Sequence, residues 1–277
     1  MKMDKDNLHS EISFNNPWPL NYVVRRQALT GYEVENKNYD FELQWLLADS
    51  SKNYDPSKTN YTKDSVSYKL SLQGWRCDNF DTIDFINKKS IIYLGCSHGF
   101  GIGVPEDEIW TAQVHGMIEE KFDTEYNFIN LCIPGGSTDE WLRFLPYIKK
   151  FNPKMICANI PNHDRMFIID DKTGTPMNMC PTNVEENIVY KHMLLYANEY
   201  RLYKEQMTLN AVNTLCEILD IKFYHKRFGE TTFVDDEFYN PIENPKNRSN
   251  RARDGSHMGF VHHKTFAHHL MEMIRDE

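Results

Sequence analysis

A chain of 277 residues with a formal net charge of −9 and no long Lys/Arg run is not a nucleic-acid binder held by a basic surface. The short cluster from Lys246 to Arg253 is too sparse to change that. At 40% hydrophobic and 26% charged residues, the sequence folds, and it is long enough for one large domain or a domain with an extension.

The N-terminus, MKMDKDNLHS, is polar and lacks the apolar core of a secretory leader, and no apolar run is long enough to span a membrane. The expectation is a cytoplasmic protein, alone or within a larger assembly. The cysteines are Cys77, Cys96, Cys132, Cys157, Cys180 and Cys216. They are scattered and form no CxxC pair, so they read as buried free thiols rather than disulfides or a zinc site.

Residues 1 to about 60 are polar and aromatic-rich with little period. WPLNYVVRRQ suits a short strand, DFELQWLLADS a helix or strand, and SKNYDPSKTNYTKDS a loop. Ser67 to Phe80 alternates and then turns at Gly74. This first region, 1–87, is expected to be an extension or small accessory region, and 88–277 the main domain.

From residue 88 the pattern becomes regular. Ile91 to Leu94 reads as a buried strand that ends in the tight, glycine-bounded loop Gly95-Cys96-Ser97-His98-Gly99. Trp110, Val114, Met117 and Ile118 recur at helical spacing, with Asp107 and Glu108 suited to the helix start. Asn127 to Ile133 is a second strand, closed by Pro134-Gly135-Gly136. Ser137 and Glu140 form a capping box for a helix through Trp141, Leu145 and Ile148. Lys154 to Ile160 is a third strand, ending in Pro161-Asn162-His163-Asp164-Arg165.

Residues 170–185 read as a loop. Glu186 to Asp220 is one long helix or two in tandem, with Met193, Tyr196, Tyr200, Tyr203, Met207, Val212, Leu215 and Ile218 as its packing face. Ile221 to His225 is a fourth strand. A last helix runs from about Val261 to Arg275, with Ala267, Leu270, Met271 and Ile274 inward. Strands alternating with helices at this spacing predict an α/β fold with a parallel sheet. Parallel strands share a direction, so Ser97, Gly135-Gly136 and Asn162-His163 should converge at one edge, where such sheets bind ligands.

A serine hydroxyl is a poor nucleophile at neutral pH without a base, an orienter for that base and donors for the oxyanion. Asp254 and His257 stand three residues apart on a short loop before the final helix. That spacing lets the carboxylate reach one imidazole nitrogen while the other faces outward. His257 then serves as general base and acid, and Asp254 orients it.

The motifs Gly95-Cys96-Ser97, Asn130-LCIPGG-Gly136 and Asp254-GSH-His257, in this order, resemble those of the SGNH (GDSL-type) hydrolases. The resemblance covers roughly residues 88 to 277. It implies a flavodoxin-like three-layer α/β/α fold of SGNH-hydrolase type, here with an N-terminal extension. It also implies a catalytic set of Ser97, Asp254 and His257. The implied oxyanion hole combines the backbone amides of Ser97 and Gly135 with a side chain from the third motif. That side chain is Asn162, or His163 in the alternative register. Cys96 replaces the usual aspartate before the serine, and the third motif, normally Gly-x-Asn-Asp, reads Pro161-Asn162-His163-Asp164.

The implied activity is a serine esterase or deacylase acting on a small ester, with an O-acetyl group on a carbohydrate as the leading substrate class. The alternatives are a non-catalytic glycan-binding or structural module and an O-acyltransferase. Trp75, Trp110 and Trp141 are candidates to stack on sugars, the last two better suited to core packing. No cofactor, metal, nucleic acid or membrane partner is expected. The pairs His262-His263 and His268-His269 lack a carboxylate at ligand spacing, and Gly101 and Gly103 lack the lysine of a phosphate-binding loop.

Overall fold

The structure, a computed structural model, describes residues 41–43, 49, 51, 54–71, 74–161, 165–169, 176–179, 198–227 and 250–275. Its centre is a four-stranded parallel sheet made by β3 (Ser90–Leu94), β4 (Asn127–Asn130), β5 (Pro153–Ile160) and β8 (Lys222–Arg227). The strand order is β4-β3-β5-β8, and Ile92 of β3 lies between Ile129 and Ile156. β3 is buried along its whole length, as is β5 from Met155 to Ile160. Strands covered on both faces read as continuous apolar runs, which is why SIIYL and MICANI were legible.

The helices follow from right-handed crossovers. The chain steps outward from β3 to β4 through α2 (Trp110–Phe122), then back across β3 to β5 and onward to β8 through α3 (Asn198–Leu219). Reversing direction moves the crossovers to the opposite face. Accordingly α2 packs on α4 (Phe260–Arg275), while α3 packs on two short helices, Thr138–Arg143 and Leu145–Phe151. This is the expected three-layer arrangement. It puts the reversal point between β3 and β5, where open α/β sheets bind ligands. Trp110, Val114 and Ile118 of α2 and Phe266, Ala267, Leu270, Met271 and Ile274 of α4 are buried.

The first region contributes β1 (Phe41–Leu43), antiparallel to β2 (Tyr68–Leu70). Val66, Tyr68, Leu70, Trp75 and Phe80 share the hydrophobic core of the sheet. Trp75 packs edge-on against Phe144 at 5.6 Å, and Trp110 against Phe266 at 4.9 Å. Trp75, Trp110 and Trp141 are all buried in the core, so none of the three is free to stack on a sugar.

Four local expectations change. The helix foreseen from Ser137 is two 3-10 helices: the Ser137/Glu140 capping box forms, but Pro146 withholds an amide where an α-helix needs one. Within the stretch read as a loop, Pro176–Met179 forms β7, antiparallel to β6 (Met166–Ile169), with proline at the first strand position, where its missing donor is tolerated. On α3 the tyrosines and Met207 are not the packing face. Tyr200, Tyr203, Met207 and Ile218 are exposed, and Glu205, Thr208, Val212 and Cys216 face inward. Burial of Glu205, paired with Arg227, is what a hydrophobic pattern does not reveal. Finally, the tight loop at Ser97 is the start of a short helix, α1 (Ser97–Phe100). Residues 186–197 of the long helix and Cys180 lie outside the described residues. The other five cysteines are free and buried. Among the described residues, no helix is long and apolar enough to cross a membrane.

Candidate active site

The nucleophile turn is built by close backbone packing. β3 ends at Leu94, Cys96 is extended, and Ser97 opens α1. The amides of Gly101 and Ile102 both bind the Ser97 carbonyl, at 2.9 and 3.1 Å, and Gly101 closes the helix in the left-handed region at φ 81°. Ser97 and His98 are the first helical residues, so their amides have no acceptor within the helix. Only glycine fits at 95, where a Cβ would lie 1.8 Å from Asn159 Oδ1. Asn159 is fully buried beneath this turn and donates to Cys96 Sγ at 3.4 Å.

The Asp254–His257 loop is equally constrained. Ala252 N–H binds the His257 carbonyl at 3.0 Å, and Gly255 N–H binds that of Ala252 at 2.9 Å. Asp254 Oδ2 meets His257 Nδ1 at 2.5 Å and accepts from Ser256 Oγ at 2.6 Å. Its Oδ1 accepts from the amides of His257 and Ser256, at 3.0 and 3.1 Å. Burial alone would raise the pKa of this carboxyl. The His257 and Ser256 hydrogen bonds and the adjacent imidazole outweigh burial, and it lies below the ordinary aspartate value. A carboxylate on Nδ1 fixes the tautomer of neutral His257, leaving Nε2 as the proton acceptor.

The two loops dock on each other. Arg253 N–H donates to the Gly103 carbonyl at 2.8 Å, and a Cβ on Gly103 would sit 2.9 Å from that same nitrogen. The His98 ring meets the His257 ring edge-on at 5.5 Å. Ile133 N–H bonds the Gly95 carbonyl at 3.0 Å, tying the second motif to the same place. Gly136 N–H bonds the Ile133 carbonyl at 2.8 Å around Pro134 and Gly135, the latter at φ 75°. This is a type II turn, which leaves the Gly135 amide outside its closing bond. Asn130 Nδ2 binds the Gly99 carbonyl at 2.9 Å. Ser97, Gly135, Asp254 and His257 thus sit on turns linked by hydrogen bonds and a ring contact at one sheet edge. Asn162 and His163 lie outside the described residues. The preceding Pro161 carbonyl is held by Arg227 Nη1 at 2.7 Å.

The burial and partners of several residues were not visible in the sequence. Arg76 and Arg253 are fully buried, Asp49 nearly so, and His263 caps α2 by accepting the Trp110 amide at Nδ1, 3.1 Å away. His263 is buried and His98 half-buried. Burial, followed by neighbouring imidazoles, pushes His98 well below the ordinary histidine value and His263 down to about 3. Among the described residues, no group of three or more His, Cys, Asp or Glu side chains is placed to hold a metal ion.

These shifts set an acid limit on stability. The unfolded chain binds protons at both histidines below about pH 6.5, whereas the folded chain leaves them neutral, so stability falls as pH drops from about 6.5. Asp254, with its lowered folded value, adds a loss in the same direction below about pH 4. Each of the two neutral histidines is expected to contribute about 1.4 kcal/mol per pH unit well below 6.5. Urea unfolding between pH 7 and 5 checks this, and His263→Asn should reduce proton uptake on unfolding by about one. Equal stability at the two pH values would refute the assignment.

No family model matches the sequence, and no curated protein matches it. Among solved structures, the chain is similar to a lipase from a goat rumen metagenome, at 14% identity and TM-score 0.43, over 67% of this chain and 97% of that one. It is similar to a psychrotrophic esterase from Pseudoalteromonas, at 11% and 0.36, over 68% and 98%. It is also similar to a mutant acetyl-xylooligosaccharide esterase from Geobacillus stearmophilus, at 11% and 0.34, over 69% and 96%.

Proposed function

We propose that the chain is a serine ester hydrolase of SGNH type. Ser97 Oγ attacks an ester carbonyl while His257 Nε2 takes its proton. Asp254 holds the resulting imidazolium. The amides of Ser97 and Gly135 receive the oxyanion, together with the Asn162 side chain (His163 in the alternative register). Collapse expels the alcohol, protonated by His257, and leaves an acyl group on Ser97. Water, deprotonated by His257, then releases the acid and restores the serine. These steps require no metal or cofactor.

The observation that carries this reading is the 2.5 Å Asp254–His257 pair, on a loop whose Arg253 amide bonds to the turn that follows the Ser97 helix. A nucleophile only 4% exposed and flanked by His98 favours a small acyl group. An O-acetyl ester on a carbohydrate is the substrate class we favour, on the strength of the motif resemblance. The test is labelling of the full chain with a fluorophosphonate, followed by peptide mass spectrometry. The phosphonyl group should map to Ser97. Absence of labelling on folded protein would leave a non-catalytic module in its place.

A further inference from the structure

We propose that Asp49, Tyr68 and Arg253 are positioning residues of this site. With both backbone groups of Gly103 they close a hydrogen-bonded ring that fixes the Ser97 helix against the Asp254–His257 loop. The proposal deepens the hydrolase reading and rests on it.

Each link has a defined direction. The Arg253 guanidinium donates from Nε and Nη2 to Asp49 Oδ2, at 3.0 and 2.6 Å. The same oxygen accepts the Tyr68 hydroxyl at 2.6 Å. Tyr68 Oη in turn accepts the Gly103 amide at 2.7 Å. The Gly103 carbonyl accepts the Arg253 amide at 2.8 Å, and the ring is closed. Arg253 Nη1 also holds the carbonyls of Lys63 and Val66, at 2.7 and 2.8 Å. All three side chains are buried.

Tyr68 is the pivot, because its hydroxyl donates to a carboxylate and accepts from an amide at once. Burial, with Asp49 beside it, pushes the phenol well above its ordinary value, so it keeps the proton that sets this direction. From the other side, Arg76 stacks over the Tyr68 ring at 4.7 Å and donates to the carbonyls of Gly101 and Val104, at 2.6 and 2.9 Å. The exit of α1 is therefore gripped at Gly101, Gly103 and Val104.

A buried ion pair that only stabilised the fold has no reason to stand beside the Asp254–His257 loop. This one ends one residue from Asp254 and on the turn that leaves the Ser97 helix. Charge-assisted bonds in a dry interior are short and directional. A base displaced by about 1 Å from its nucleophile costs about a hundredfold in rate.

Tyr68→Phe in the full chain removes the hydroxyl and keeps the ring. With p-nitrophenyl acetate, kcat is expected to fall roughly 10- to 100-fold with KM little changed, in protein that remains folded at the assay temperature. The far-downfield proton resonance of His257 Nδ1–H should shift or broaden. Asp49→Asn should act in the same direction and serves if Tyr68→Phe does not fold. A folded variant with wild-type kcat and an unchanged His257 resonance overturns the proposal. So does a loss of kcat that merely follows the folded fraction. The resonance reads the ring without turnover. If the wild type neither turns over nor takes the fluorophosphonate, the hydrolase reading fails, and the resonance still decides whether the ring holds the pair.

Discussion

Ser97→Ala is expected to lower kcat/KM for p-nitrophenyl acetate on the order of 10⁴-fold or more, about 5–6 kcal/mol of transition-state stabilisation. The alcohol is the only group at that turn that can form the acyl intermediate in the proposed mechanism. Without it, the remaining amides can stabilise an oxyanion but can direct only water, which leaves a small residual rate. His257→Ala should be of similar size, and the double variant little worse than either, because residues acting as one unit are not additive. The bonds that shape this turn are backbone bonds to the Ser97 and Cys96 carbonyls, so thermal unfolding of Ser97→Ala should match the parent. Equal hydrolysis rates for parent and variant would remove Ser97 from the chemistry.

Asp49→Ala is expected to destabilise the fold by roughly 3–5 kcal/mol, because it leaves the Arg253 guanidinium buried without its counter-charge. That is a large share of a typical stability of about 5–15 kcal/mol. Replacing both partners, with Asp49→Leu and Arg253→Met, should recover much of the loss, since a packed apolar pair avoids desolvating two charges. Recovery of stability should not restore Ser97 labelling, because the apolar pair cannot hold Gly103 and the loop in register. Urea unfolding of the two variants at one pH measures the first effect, and labelling rates the second. An Asp49→Ala protein within about 1 kcal/mol of the parent would show that the buried pair carries no such load.

The layered fold was legible because its determinants are local. β3 and β5 are buried on both faces and spell themselves as apolar runs, and α2 and α4 carry regular stripes. Asp254 and His257 were legible for the same reason, as three-residue spacing on one loop is visible in one dimension. The ring behind them was not. Asp49 and Arg253 are separated by 204 positions, and nothing in either neighbourhood marks them as a pair. Arg253 and Arg76 are charged residues, and nothing in their sequence neighbourhoods shows that both are fully buried. The tyrosine stripe of α3 misled in the opposite way: its period was helical, but the buried face holds Glu205, whose charge is matched by Arg227 at the end of β8.

The closure at Gly103 bears on how the chain becomes active in time. Contacts between residues this far apart form slowly, because the entropy of a long loop must be overcome before they contribute. The sheet is assembled largely from nearer neighbours, whereas the ring needs a residue from before β2 and one from just ahead of α4. During refolding, helical signal should therefore return before esterase activity does, and a nascent chain that has not yet presented Arg253 would carry its serine without the partners that make it reactive.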